Sequence, residues 1–165
     1  MNARRRGLTA CIAIAAVLEV SAVGAEDAST PRYADGALTF QANCAVCHRA
    51  TGAGQPGLAP PLLSYPARYL ERPEGRRQLV LTVLFGMFGD IVVDEKHYNF
   101  KMPEFARFDD TTIAGVLNFV AFDLGHAPPT SVPLAPDDVA RERVLALTGE
   151  AVRRHRFEAL DAPAP

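Results

Sequence analysis

The sequence predicts a mainly α-helical fold wrapped around one tethered non-protein group, and three observations point there. Apolar residues recur at helical spacing in two stretches, 74–85 and 109–124. The segment between residues 35 and 124 is about 90 residues long, which is marginal for a core built from side chains alone. The first expected helix runs into Cys44-Ala45-Val46-Cys47-His48, which puts two thiols and an imidazole within five positions.

The chain has 165 residues, 48% hydrophobic and 22% charged, an ordinary globular balance for one domain with appendages. Arg4, Arg5 and Arg6 precede an apolar run over residues 8–17, and Val23-Gly24-Ala25 places small residues at a cleavage point. Residues 1–25 therefore read as a signal peptide, cleaved after Ala25, which sends the mature chain to the periplasm. Three other readings stand beside this one. Leu8-Thr9-Ala10-Cys11 has the look of a lipoprotein box, but its cysteine precedes the apolar run instead of following it. Arg5-Arg6 lacks the rest of a twin-arginine motif. An uncleaved membrane anchor is the minor alternative, opposed by Glu19 inside the segment. Cleavage removes Cys11, so Cys44 and Cys47 remain as a pair with no odd thiol, which suits an oxidising compartment. It leaves 14 basic and 18 acidic residues, and nothing in that balance suggests nucleic-acid binding.

Residues 26–34 read as a leader. Asp35 is the expected N-cap of the first helix, which carries Leu38 and Phe40 into the cysteine motif. Residues 51–61 hold three glycines and three prolines and must be loop. A helical turn is expected over 66–70. In the helix over 74–85, Leu79, Val80, Val83 and Leu84 form one apolar face, and Gly86 stops it. Ile91-Val92-Val93 and His97-Tyr98 read as two short strands around a polar turn. Asp109 is the N-cap of the next helix, where Ile113, Val116, Leu117 and Val120 share a face. The cofactor domain is thus expected over 35–126. Four prolines mark 127–136 as a linker, and 137–165 reads as a C-terminal helical extension. Arg153-Arg154-His155-Arg156 reads as a solvated helix face, or as a docking patch for a membrane or an acidic partner.

The motif carries the chemistry. Cysteines three apart lie on one side of a helical turn, where both can add to the vinyl groups of one porphyrin, and the adjoining His48 can ligate its iron. A zinc site would need further close ligands, and a thioredoxin-like pair would need a βαβ frame; neither is evident. One covalent haem c, held by Cys44 and Cys47, is the predicted cofactor. His48 needs a carbonyl for its other ring nitrogen, and the proline-rich loop offers one at Pro60 or Pro61. Met102 is the predicted second axial ligand, because Pro103 holds it in an extended loop between two helices. Met87 reads as core, His97 as solvent-facing, and His126 and His155 as incidental. Iron closed by His48 and Met102 has no open position, so single-electron outer-sphere transfer is expected in place of catalysis.

Four segments resemble class I c-type cytochromes: the motif over 44–48, Gly57-Leu58-Ala59-Pro60-Pro61-Leu62, Tyr98-Asn99-Phe100-Lys101-Met102-Pro103, and the helix that begins at Asp109. The resemblance covers about residues 35–124. It implies the cytochrome c fold, Pro60 as the partner of His48, and a crossing of the first and last helices. There Gly36 and Phe40 would meet Leu117 and Phe119 or Val120. The insert over 91–98 is similar to small cytochromes that accompany periplasmic dehydrogenases or terminal respiratory chains. The expected function is a periplasmic monohaem electron carrier, not an enzyme, working between a redox protein donor and acceptor such as a periplasmic dehydrogenase or terminal oxidase. The alternatives are a haem-bearing subunit of a larger complex, or a ligand-binding haem enzyme or sensor. In the subunit reading, residues 127–165 are a docking element whose deletion leaves the haem spectrum intact. Membrane contact is expected only through an uncleaved signal or the partner complex. Arg49, Lys96 and Lys101 lie near the haem motifs in sequence and suggest a positive rim for partners.

Overall fold

The computed structural model describes residues 30–161; the expected signal peptide over residues 1–25 lies outside the described residues. Helix α1 (Ala34–Asn43) leads through a break at Cys44 into the short α2 (Ala45–His48). A long loop follows, then α3 (Tyr65–Tyr69) and α4 (Pro73–Phe85). Strands β1 (Ile91–Val93) and β2 (Lys96–Tyr98) pair antiparallel, and α5 (Asp110–Asn118) continues into a π-helical turn, Phe119–Leu124. The chain closes with α6 (Pro136–Arg143) and α7 (Gly149–Asp161). The fold is mainly α, as expected.

The local signals account for much of this. Asp109 caps α5, its side chain accepting from the Thr112 N–H at 2.7 Å. Gly86 ends α4 with φ +70°. Asp94 and Glu95 both adopt positive φ, which makes the strand connection a two-residue turn, so Lys96 pairs with Val93 instead of turning.

Two boundaries differ from the expectation. Tyr33, not Asp35, is the N-cap of α1, and its side chain does not cap. Asp123 from the π-helical turn anchors the chain just before the helix, accepting from the backbone N–H of Arg32 at 2.7 Å and of Tyr33 at 3.1 Å. The extension over 137–165 is two helices, because residues 144–148 break it.

The core forms where α1 and α4 meet α5. A Cβ on Gly36 would lie 2.2 Å from the Gly115 carbonyl oxygen, so the two helix backbones touch. Phe40, fully buried, then packs on Phe119 with ring centroids 5.4 Å apart. The crossing thus pairs Phe40 with Phe119 as the resemblance implied, while Gly36 meets Gly115 and Phe119. Leu79, Val80 and Leu84 of α4 join Ile113 and Leu117 of α5 in a second cluster, which also takes in Leu134 and Val139.

The stretch over 127–136 is bound to the domain. Buried Asn118 donates to the Leu134 carbonyl at 2.9 Å and accepts its N–H at 2.8 Å. Arg76 of α4 donates to the carbonyls of Val132 and Pro133 and pairs with Asp138. Arg143 returns the contact, donating to Asp110 and to the carbonyls of Ala106 and Phe108, each at 2.7 Å. Helix α7 lies along α4, where Arg72 donates to the Ala159 carbonyl at 2.6 Å.

Candidate functional site

Between α1, α4, α5 and the loops lies an apolar cavity of about 220 Å³. Cys44, Cys47, His48, Pro60 and Met102 all line it. Protein interiors leave few voids larger than a water molecule, so an apolar space of this size at the centre of a small fold calls for a large occupant.

The thiols come from the α1–α2 junction. Both cysteines are unpaired and half-buried. Burial, and then the neighbouring Cys47, push the Cys44 thiol up to about 11, while Arg107 pulls weakly the other way. A reactive redox pair needs a low thiol value in an electropositive setting, and Cys44 has the reverse. Among the described residues, no cluster of three or more Cys, His, Asp or Glu is placed to hold a metal ion. The helical setting also lacks the βαβ frame of a thioredoxin-like pair.

His48 ends α2 and is only 8% exposed. Its Nδ1–H donates to the Pro60 carbonyl at 2.9 Å, which leaves Nε2 as the nitrogen with a free lone pair. Burial lowers the His48 value and so favours the neutral ring; the bond to Pro60 opposes this more weakly. The loop is pinned under this ring. Gly54, at φ +72°, packs so closely that a Cβ there would lie 2.6 Å from the Ala59 carbonyl oxygen. Gln55 donates to the carbonyls of Val46 and Cys47, both at 2.9 Å, and so satisfies the end of α2. Nothing in the local sequence flags Gln55, since a glutamine in a glycine-proline loop has no fixed role until the loop folds back.

Met102 sits on the loop before α5, paired through its backbone with Met87. The Met102 N–H donates to the Met87 carbonyl at 2.8 Å, and the Met87 N–H returns to the Met102 carbonyl at 3.2 Å. Met87 lines the cavity too, and packs against the cluster of Ile91, Val93 and Tyr98. His97 is exposed and pairs with Asp90 at 2.9 Å, and His126 is exposed. His155 is not incidental: its Nδ1–H donates to the buried Gln78 amide oxygen at 2.7 Å. The basic run over 153–156 is neither a solvated face nor a patch. Arg154 is exposed beside Glu150, Arg153 packs against Gly89, and Arg156 is buried at the cavity wall.

Fold and cavity together define a helical protein with room for a large apolar group beside two thiols and a neutral imidazole. Comparison with known proteins agrees: the family model for cytochrome c matches residues 33–121. Two relatives from Thermus thermophilus are each called cytochrome c-552. Both are 38% identical over 125 residues, or 74% of this chain; the match covers 95% of one relative and 84% of the other. The chain belongs to the cytochrome c family as a class I c-type cytochrome, an electron-transfer haem protein.

Proposed function

We propose that the chain is a periplasmic monohaem carrier that passes single electrons between protein partners, with Cys44 and Cys47 as the haem tethers and His48 and Met102 as the axial ligands. The observation that carries this reading is the convergence of all four side chains on one apolar cavity, with His48 already held by Pro60 in the ligating tautomer. When bound, haem supplies an iron centre that alternates between ferrous and ferric states.

The chain's own residues set the conditions. Cys44 and Cys47 would hold the haem through thioether bonds to its two vinyl groups. The Pro60 carbonyl holds the His48 ring in place and strengthens it as a donor. The Met102 thioether is soft and favours the ferrous state. His48 and Met102 would together leave substrate no open metal position, which supports a carrier in preference to an enzyme. Periplasmic location rests on the charged and apolar runs of residues 1–25. Among the described residues, no helix is long and apolar enough to cross a membrane. Exposed Val46 and Phe100 border the cavity beside Lys101, which suits brief docking by a redox protein.

The test is the haem-loaded mature chain. Its mass should exceed the polypeptide by one haem, and the haem should survive denaturation. Met102→Ala should lose the sulfur–iron charge-transfer band and lower the reduction potential, while Met87→Ala should keep the band. If Met102→Ala leaves both band and potential unchanged, the ligand assignment fails.

A further inference from the structure

The residue after His48 holds a backbone conformation that suits glycine. Arg49 ends α2 with φ +62° and ψ +157°, a region that a residue with a Cβ enters only under strain. The positive φ values at Asp94 and Glu95 are explained by the turn between the strands, but Arg49 belongs to no hairpin. Such strain persists only where the surroundings fix it, and the Arg49 side chain supplies that fixation. Its Nε–H donates to the Gly54 carbonyl at 3.0 Å, while the Gly54 N–H donates to the His48 carbonyl at 2.9 Å. The end of α2 therefore grips Gly54 through both its backbone groups. Gly54 in turn lies flat on the segment that carries Pro60. A Cβ on Gly54 would come within 2.7 Å of both the Pro60 carbonyl carbon and the Pro61 nitrogen. A chain of contacts thus runs from Arg49 through Gly54 to the Pro60 carbonyl, which accepts the His48 Nδ1–H at 2.9 Å.

We propose that Arg49 is a positioning residue for electron transfer: it presses the Gly54 loop against Pro60 and so sets how firmly the Pro60 carbonyl holds His48. The proposal rests on His48 ligating haem iron. A carbonyl that holds one ring N–H raises the basicity of the other nitrogen, and a more basic ligand favours ferric iron. A slacker bond to Pro60 leaves a weaker donor and favours ferrous iron. Glycine at position 49 would take the observed backbone without strain, yet it would leave the Gly54 carbonyl without its charged donor. The strain and the grip therefore belong to one side chain, and substitution can separate them.

The test uses the haem-loaded mature chain and follows solvent exchange of the His48 Nδ1–H by NMR in the ferrous state, with the midpoint potential and the denaturant midpoint beside it. Arg49→Lys keeps the charge and the Cβ but puts a methylene where the Nε–H stood. Exchange should quicken roughly tenfold, the factor set by one typical hydrogen bond, and the ferrous–ferric equilibrium should move toward ferrous. Arg49→Gly loses the same grip but also the strain. It should exchange as fast as Arg49→Lys while unfolding at a higher denaturant concentration. Wild-type exchange and potential in loaded Arg49→Lys overturn the proposal. Slow exchange in Arg49→Gly also overturns it, because protection would then follow stability alone. If Arg49→Lys does not load haem, exchange in Arg49→Gly decides. A wild-type chain that carries no haem overturns the haem reading itself, a result distinct from unchanged exchange.

Discussion

Gly86 shows how one residue serves two ends. As a helix stop it was legible, because glycine accepts the positive φ of +70° found there. Its second role is spatial. A Cβ at Gly86 would lie 2.5 Å from the Met102 carbonyl oxygen, so the loop that carries Met102 can close only over a glycine. Gly86→Ala is expected to cost about 2 kcal/mol or more through backbone strain and the clash together. It should also weaken the sulfur–iron band by displacing Met102. Denaturant titration and the visible spectrum of the loaded protein check the two effects separately. Legibility at this scale follows chain distance. Cys44, Cys47, His48 and Met102 stand out as candidates because the chemistry lies in the residue types and their immediate neighbours, and all four line one cavity. Arg156 was misread because a helix face becomes a wall or a surface only after the helix docks.

Among the elements, those whose burial repeats along the helix or strand were the readable ones. Helix α4, the β1–β2 pair and α5 each show their periodicity without help from distant segments. The caps divide more sharply. Asp109 acts on Thr112, three residues away, whereas the residues leading into α1 are anchored by Asp123, about ninety residues away. The crossing of α1 and α5 rests on glycine at both contact points. Gly36→Ala should separate the helices and loosen the Phe40–Phe119 contact, with a loss of at least about 2 kcal/mol measured in denaturant. Asn118→Ala should cost about 2–4 kcal/mol, since it strands both backbone groups of Leu134 in the interior. An unchanged midpoint in Asn118→Ala would show that the 127–136 segment is held without that pair.

Across the whole molecule, the tail beyond residue 127 behaves as part of the domain. Its arginine and asparagine contacts run to α4 and α5, and its last helix reaches the cavity through Arg156. Deletion of residues 127–165 is therefore expected to disturb the haem spectrum, contrary to the docking-element expectation. The ion pairs of the tail also predict an acid response. Burial raises the Asp138 carboxyl, but the Ala135 N–H, Arg76 and Arg141 outweigh it and hold the group below its ordinary value of 3.8. The folded-state value is thus depressed. Its stabilising contribution is complete above the ordinary carboxylate range and fades as pH falls through the folded-state value. Unfolding midpoints should hold from neutral pH to about pH 4 and drop below it. Asp138→Asn should be less stable at neutral pH and show a shallower acid decline.

The sequence by itself determined the cofactor chemistry expected of this chain, because two thiols, an imidazole and a loop methionine express that chemistry through short-range spacing. It also determined the helical class and most element boundaries, since periodic burial is written along each segment. Tertiary structure alone decided what surrounds that chemistry: the glycine beneath Met102, the Asp123 anchor before α1, and the burial of Arg156 at the cavity wall. Those contacts join residues tens of positions apart, and only the packing of α7 on α4 and of α1 on α5 brings them within reach.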